Sequence, residues 1–405
     1  MSEPRIIPIT PKAAAPKAGG WQPTLSASPP LSLYIHFPWC VRKCPYCDFN
    51  SHAVKDEGIP EAAYVAALIA DLESALPQIW GRRVHSIFIG GGTPSLISPE
   101  GLDELLTAVR MRVLLDPMAE ITLEANPGTV DAGRFAAFRQ AGINRLSVGI
   151  QSFHDGHLQA LGRIHGRQDA IAAAEAALNH FEAVNLDLMY ALPGQSLAEA
   201  EADLATALAL GPQHLSCYHL TLEPNTAFAA NPPEVPDPDS SADMQERIEA
   251  CLGEAGYIHY ETSAFARPHR ECRHNLNYWT FGDYLGIGAG AHGKLSSHEG
   301  IVRETRPRHP AAYLAARDSG AFVQDRRSLD AQDLPFEFMM NALRLNQGFP
   351  LRLFAERTGL PLEAAEAGLV QARRQGLVET DSDTLRPTLK GRRFLNELLM
   401  LFLAD

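Results

Sequence analysis

The sequence predicts an α/β fold, a partial (β/α)6 barrel followed by a small, mostly helical, winged-helix-like C-terminal domain. Three observations lead to this prediction. The 405 residues are enough for two domains with a large core. From Leu31 to about Leu222, short apolar runs alternate with helical patterns, which is typical of a parallel sheet covered by helices. In the last 75 residues this alternation gives way to closely spaced helical patterns.

The first part of the chain contains six strand candidates. In order they are LSLYIHF, VHSIFIG, EITLEAN, RLSVGIQ, NLDLMYAL and HLSCYHLTL. The helical patterns between them include EAAYVAALIADLESAL, PEGLDELLTAVRMRV, AGRFAAFRQAG, RQDAIAAAEAALNHF and LAEAEADLATALALG. Six strands joined by five helices fit an open or partial barrel better than a closed eight-fold one, and functional side chains are expected at the carboxyl ends of the strands.

The rest of the chain is divided by composition. A loop (NPPEVPDPDSS), a helix (ADMQERIEACLGEAG) and a strand (YIHYETSAFAR) complete a barrel domain over residues 31–265. Residues 266–325 are rich in glycine, histidine and aromatic residues without a clean period, and are predicted to be a loop-rich connecting segment. Residues 326–405 contain a helix (LPFEFMMNALRL), a helix–turn–helix pair (LRLFAERTGL and LEAAEAGLVQARRQGL), a hairpin (VETDSDTLRPT) and a closing helix (LKGRRFLNELLMLFL), which predicts the winged-helix-like domain.

Composition excludes several classes of protein. The net charge of −13 argues against a general nucleic-acid binder, so the winged-helix-like domain is interpreted as a lid or docking module. No apolar run is long enough for a transmembrane segment, and no signal peptide is recognisable. Residues 1–30, rich in proline, alanine, glycine and serine, are predicted to be a flexible tail. The sparse, uneven cysteines indicate a reducing cytoplasm rather than a disulfide framework.

Three of the six cysteines follow the first strand in the spacing C-x3-C-x2-C, as Cys40, Cys44 and Cys47. This spacing fits neither paired zinc knuckles nor a thioredoxin-type C-x-x-C. Thiolates hold iron–sulfur clusters, and three ligands on a cubane leave one iron open to a substrate or cofactor. The alternative is three free or zinc-binding thiols.

This loop, placed after the first strand of an α/β partial barrel, resembles the radical S-adenosylmethionine (SAM) enzymes. The resemblance implies a [4Fe-4S] cluster whose open iron binds SAM, and reductive cleavage of that cofactor to a 5′-deoxyadenosyl radical. Gly92, Thr93 and Pro94 in GGGTPS, after the second strand, correspond to the loop that holds the methionine part of the cofactor. By the same resemblance the remaining contacts to SAM come from one group of residues: Tyr34, Tyr46, Glu124, Gln151, Arg163 and Asp187.

Within this superfamily the chain resembles the coproporphyrinogen-dehydrogenase-like branch, which it matches in YIHFPWCVRKCPYCDFNSH, GGGTPS, EANP, RLSVGIQSF, LGRIH and DLMYALPGQ. The true oxygen-independent coproporphyrinogen III dehydrogenases have a further cysteine two residues after the third ligand. Here that position is Phe49. The heme chaperones of the HemW type have phenylalanine there and a later H-N-x-x-Y-W motif, which this chain has as HNLNYW from His274 to Trp279.

The heme chaperone is therefore the favoured interpretation. The resemblance implies that His274 binds heme, for which imidazole is a common axial ligand, and that residues 266–325 carry the heme site. The alternative is a histidine hydrogen-bonded inside a loop. A second glycine-rich stretch, LGIGAGAHG with His292, is interpreted either as closing over the cofactor site or as a compact turn.

The implied partners are heme-accepting proteins, including membrane-associated respiratory enzymes, and an electron donor. Two other functions stay open at this point. One is the anaerobic conversion of coproporphyrinogen III to protoporphyrinogen IX, and the other is a winged-helix regulator with a redox cluster.

Overall fold

The computed structural model describes residues 24–403, so most of the predicted tail over residues 1–30 lies outside the described part. Residues 24–30 contain no helix or strand. No helix among the described residues combines the length and the apolar character that crossing a membrane requires.

All six predicted strands are present, and helices connect them in the predicted order. The strands of this part are β1 (Leu31–Phe37), β2 (Trp39–Cys40), β3 (His52–Ala53), β4 (Arg83–Gly91), β5 (Leu114–Ala125), β6 (Arg145–Gln151), β7 (Ala183–Tyr190) and β8 (His214–His219). The helices are α1 (Glu61–Ile79), α2 (Pro99–Arg112), α3 (Ala132–Ala141), α4 (Asp155–Ala160), α5 (Arg167–His180) and α6 (Leu197–Leu210). Apolar residues of β1 and β4 to β8 are buried between the strands and the covering helices, and in β6 to β8 polar residues alternate with them.

The next part of the chain is more regular than predicted. It contains α7 (Ala227–Ala230), α8 (Pro238–Glu254), β9 (Ile258–Glu261), β10 (Ala264–Ala266), α9 (Arg273–Trp279), β11 (Asp283–Ile287), β12 (His292–Ser297), β13 (Gly300–Thr305), α10 (Pro310–Ser319) and β14 (Asp325–Ser328). The prediction of a loop-rich segment over residues 266–325 is therefore wrong, and the predicted single strand YIHYETSAFAR is a hairpin. The strands escaped detection because they are short and rich in glycine, which leaves no clear alternation.

The main sheet has twelve strands in the order β14-β13-β12-β11-β1-β4-β5-β6-β7-β8-β10-β9. Strands β1 and β4 to β8 are parallel, and β11 adds a further parallel strand beside β1. Antiparallel strands extend both edges. Within residues 24–403 the two edge strands do not pair with each other, so the barrel is open as predicted.

The C-terminal part has the predicted order of elements. They are α11 (Leu334–Ala342), β15 (Phe349–Pro350), α12 (Arg352–Thr358), α13 (Glu366–Arg374), β16 (Val378–Asp381), β17 (Thr384–Pro387), α14 (Leu389–Arg393) and α15 (Leu395–Met400). The predicted closing helix is two helices, because the backbone leaves helical geometry at Phe394. Phe281 and Ile301, from the preceding segment, pack in the same apolar cluster as Phe338. The domain boundaries at residues 265 and 325 stay a prediction.

A buried ion pair joins α1 to the segment after β13. The Asp71 carboxylate is fully buried and accepts hydrogen bonds from Arg306 Nε at 2.9 Å and from Tyr313 Oη at 2.9 Å. It also accepts the backbone N–H of Gly288 at 3.2 Å. This carboxylate thus connects the start of the barrel to the elements that follow β11.

We expect Asp71→Ala to lower the free energy of unfolding by roughly 3–5 kcal/mol, because it leaves the buried Arg306 guanidinium without its main partner. The measurement is the urea midpoint. Asp318→Ala, at an exposed position of α10, the helix that carries Tyr313, is the control. An unchanged midpoint for Asp71→Ala would show that this ion pair does not stabilise the fold.

Candidate functional site

Every residue predicted to bind the cluster, SAM or heme lines a single cavity of about 660 Å³ at the carboxyl ends of the parallel strands. These lining residues are Tyr34, Cys40, Cys44, Tyr46, Cys47, Gly92, Thr93, Pro94, Glu124, Gln151, Arg163, Asp187 and His274. They come from several strands and the loops that follow them, from the loop between α4 and α5 and from α9, so only the fold brings them together. Their individual roles stay predictions.

The cysteine loop forms one rim of this cavity. Cys40 ends β2 and is buried, whereas Cys44 and Cys47 are half-buried and joined by a turn in which Cys47 N–H donates to the Cys44 carbonyl at 3.2 Å. Burial raises the pKa of the Cys40 and Cys47 thiols. Three thiols at one rim of the cavity form a donor set of the kind that holds an iron–sulfur cluster.

Arg163 connects this loop to the strand ends. Its guanidinium donates to Asn126 Oδ1 at 2.6 Å and to the Gly149 carbonyl at 2.8 Å, and it lies 3.7 Å from Cys44 Sγ. Asn126 in turn donates to Thr93 Oγ1 at 2.9 Å. Arg163 thus ties the cysteine loop to the ends of β5 and β6. Asn126 was missed from the sequence, although it stands in the EANP motif that supplied Glu124.

The glycines of GGGTPS are required by the protein's own packing. Gly91 has φ +123°, and a Cβ there would lie 2.6 Å from the His36 ring. A Cβ on Gly92 would lie 2.6 Å from the Trp39 carbonyl oxygen. The loop therefore lies directly against the end of β1 and the start of the cysteine loop, and only glycine permits this approach. This packing brings Thr93 and Pro94 into the cavity lining beside the cysteines.

Two half-buried carboxyl groups, Glu124 and Asp187, also line the cavity. Burial, and then the charge of Asp187, raise the pKa of Glu124 to about 8, although Gly91 N–H donates to this carboxyl at 3.0 Å. Burial also raises the pKa of Asp187, which accepts hydrogen bonds from Ser147 Oγ at 2.9 Å and Asn185 Nδ2 at 2.8 Å. A cationic ligand would favour the ionised form of both groups.

Gln151 ends β6 in a strained backbone conformation. Its φ of +69° lies in the left-handed region, which costs a residue with a side chain about 1 kcal/mol or more. The pairing of β6 with β7 is also irregular between Gly149 and Gln151. Such strain is typical of functional sites, and here it accompanies a side chain that lines the cavity.

The barrel interior contains polar residues that the sequence analysis did not select. These further lining residues are Arg145, Ser147, Asn185, His214 and Ser216. They occupy alternate positions of three neighbouring strands, and alternate residues of a strand share one face. His214 Nδ1 is 2.6 Å from Asn185 Oδ1, so these side chains form a network beside Asp187. The sequence contains a pattern that could have identified them: in RLS, NLD and HLS a polar residue recurs at every second position.

His274 lies on α9 rather than in a loop, and its ring is fully buried. Its Nδ1 is 3.0 Å from Ser86 Oγ, and its Nε2 is 3.0 Å from Tyr278 Oη. Burial lowers the pKa of this imidazole to about 3, so it is neutral. Because both ring nitrogens are hydrogen-bonded, binding to heme iron would require either Ser86 or Tyr278 to move away. The role of His274 as a heme ligand stays a prediction.

Comparison with known proteins gives consistent matches along the chain. Residues 34–207 match the family described as the radical SAM superfamily, and residues 329–394 match the one described as the HemN C-terminal domain. The chain is 50% identical over 379 residues to heme chaperone HemW of Escherichia coli, which covers 93% of this chain and 99% of the relative. It is 49% identical over 383 residues to heme chaperone HemW of Haemophilus influenzae, with the same shares covered.

The fold also matches a solved structure. Coproporphyrinogen III oxidase (HemN) from Escherichia coli, described as a radical SAM enzyme, superposes with a TM-score of 0.79 at 23% sequence identity. The match covers 93% of this chain and 90% of the other. At this identity the likeness establishes a common fold.

Proposed function

Because the chain belongs to the radical SAM superfamily, and within it to the HemW family, we propose that it is a heme chaperone that binds a [4Fe-4S] cluster and SAM, binds heme and delivers it to hemoproteins. The observation that carries this proposal is the similarity to a protein named as a heme chaperone, to which the chain is 50% identical over 93% of its length. The cavity supplies side chains suited to the two cofactors.

Cys40, Cys44 and Cys47 would hold the cluster, and its fourth iron would be open to SAM. In this superfamily the reduced cluster supplies one-electron chemistry at the SAM sulfonium. The chain's own contribution is binding and orientation. Arg163 lies beside Cys44 and would hold the cysteine loop in place, and Glu124 and Asp187 would attract the cationic cofactor.

Phe49 favours the chaperone over coproporphyrinogen III dehydrogenation. It occupies the position where the dehydrogenases carry a fourth cysteine, it is 61% exposed, and it lines the cavity beside the cysteine loop. An exposed aromatic ring suits the face of a porphyrin. The fold likeness to HemN favours neither function, since both would use the same scaffold.

The experiment compares the two functions in one preparation. The cluster is reconstituted anaerobically, SAM, a reductant and coproporphyrinogen III are supplied, and hemin is titrated in parallel. We expect stoichiometric hemin binding and no protoporphyrinogen IX. Formation of protoporphyrinogen IX would contradict the chaperone and support the oxidase.

For the proposed partners, we infer heme-accepting proteins, with membrane-associated respiratory enzymes as the first candidates, and a reductant protein that supplies electrons to the cluster. The proposed location is the cytoplasm, where cysteine ligands stay reduced.

A further inference from the structure

A second cavity, of about 700 Å³, adjoins the first. The two cavities have several lining residues in common: Tyr34, Asp48, Phe49, Gly91, Glu124, Tyr278 and Trp279. The second cavity has the size of a small-molecule site. None of the predicted cofactor contacts lies in it alone, so the predicted cluster and SAM sites leave it without a ligand.

One wall of the second cavity is a face of the antiparallel extension β11–β13. Tyr284 pairs with Lys294, Lys294 pairs with Arg303, and His292 pairs with Thr305. Directly paired residues, and residues two positions along, lie on the same face of a sheet. All five side chains line the cavity. The stretch LGIGAGAHG ends β11, turns between Gly288 and Ala291 and begins β12, so that His292 joins this wall.

The cavity lining is rich in cations. Lys294, Arg303, Arg306 and Arg308 line it, against the carboxyl groups of Asp48 and Glu124. Lys294 pairs with Asp283 at 2.8 Å, and Arg303 donates to Glu337. The charges of Lys294 and Arg303 are therefore already paired with carboxylates of the protein.

Arg306 and Arg308 retain capacity to bind an anion. Arg306 is 1% exposed, and its Nε and Nη1 bond to Asp71 and Glu304. Its Nη2 has no hydrogen-bond partner among residues 24–403. A buried donor without a partner is costly, and an anionic ligand in the cavity would satisfy it. Arg308, two residues on, is exposed at the rim.

The cavity also offers flat apolar surface and a free imidazole. Phe49 is 61% exposed, and Tyr278 and Trp279 of α9 line the cavity with it. His292 is accessible in the cavity wall, unlike His274. Partial desolvation by that wall, and then the charges of Arg303 and Arg308, lower the pKa of its imidazole, which keeps it neutral and able to bind iron. The ligand these features fit is a flat, apolar, iron-containing macrocycle with carboxylates at its edge.

We propose that the second cavity is the heme site, with His292 as an axial ligand of the iron and Arg306 and Arg308 as partners of the propionates. This inference rests on the proposed function and specifies its cargo site. The macrocycle would lie against Phe49 and Trp279, next to the cavity predicted to hold SAM.

The first experiment compares histidine variants of the anaerobically reconstituted protein by hemin titration. The absorbance and electron paramagnetic resonance of ferric heme report its axial ligand. We expect His292→Ala to change the coordination signal and to weaken hemin binding on the order of tenfold. His298→Ala is the matched control on the same hairpin, since its side chain is 92% exposed, and we expect it to bind like the parent.

The second experiment tests the propionate contacts with hemin dimethyl ester, which lacks the two negative charges. We expect the ester to bind the parent protein on the order of tenfold more weakly than hemin, as loss of charge-assisted hydrogen bonds predicts. Arg308→Ala should reduce this difference, whereas Arg317→Ala, at an exposed position of α10, should leave it unchanged.

The outcomes distinguish failure of the proposed function from failure of the assignment of the heme site. Parent protein that binds no hemin would overturn the proposed function and this inference with it. Hemin binding that persists with an unchanged signal in His292→Ala and is lost in His274→Ala would overturn only the assignment to His292. Equal affinity for hemin and its ester would overturn the arginine contacts.

Discussion

Cys44→Ala is expected to abolish the broad iron–sulfur absorbance of the anaerobically reconstituted protein. The proposed cluster has only three protein ligands, so losing one leaves two thiolates, whereas cubanes usually have four ligands. Cys44 is also the thiol that Arg163 approaches, at 3.7 Å from its sulfur. The bound iron should fall from about four atoms per chain to near zero, because a cubane cannot be held by two ligands.

The matched control is Cys251→Ala. Cys251 is a half-buried thiol on α8, outside both cavities. We expect it to retain both absorbance and iron content. Full absorbance in Cys44→Ala would contradict the assignment of the ligands, and loss in both variants would point to a general failure of reconstitution.

Glu124→Gln is expected to have two opposite effects, weaker SAM binding and higher stability at alkaline pH. The ionised carboxylate would attract the cationic cofactor, and losing a charged hydrogen bond of about 1.5–3 kcal/mol weakens binding roughly tenfold to a hundredfold. Calorimetric titration with SAM measures this affinity. The pKa of Glu124 is about 8 in the absence of ligand, so at pH 7 this carboxyl group is mostly protonated. SAM binding favours the ionised form and should therefore release a proton from the parent protein. The measured heat of binding would then depend on the buffer.

The sign of the stability effect follows from the same pKa. The pKa of Glu124 rises from 4.5 to about 8 in the folded protein, so the folded state binds the extra proton between these values. This group therefore lowers stability progressively as pH rises from about 4.5 to 8. The side chain of Gln cannot ionise, so Glu124→Gln stays neutral at every pH. The amount by which its thermal midpoint exceeds that of the parent should therefore be larger at pH 8 than at pH 5. Glu182→Gln, at an exposed surface position, is the control. Equal pH dependence in Glu124→Gln and the parent would contradict the raised pKa.

The sequence alone predicted the six parallel strands because each contains short apolar stretches, which pack against the covering helices. It also predicted which residues meet in the first cavity, since the carboxyl ends of parallel strands lie at one edge of the sheet. Cys40, Glu124 and Asp187 lie far apart in the chain, and the resemblance to one family selected them.

Other features depend on contacts that no local pattern records. Strand β11 was missed because it has five residues and gains its place by pairing with β1, some 250 residues earlier. Gly286 within it lies so close to β12 that a Cβ would collide with the His292 carbonyl oxygen. Glycine has a low propensity for strands. Because tertiary packing requires glycine at this position, the sequence does not indicate a strand here. The HNLNYW motif was recognised, but its helical conformation and the hydrogen bonds of both His274 nitrogens became evident only in three dimensions.

Delivery of heme is the central claim, and a transfer assay tests it most directly. The reconstituted protein, loaded with one equivalent of hemin and freed of excess, is mixed with heme-depleted respiratory membranes from the same organism. Heme is then followed spectroscopically from the loaded protein to the membrane enzymes, with free hemin at the same concentration as the reference. The account predicts that heme leaves the protein and restores respiratory activity faster than free hemin does. Heme that stays on the protein, or restoration no faster than with free hemin, would contradict the chaperone function.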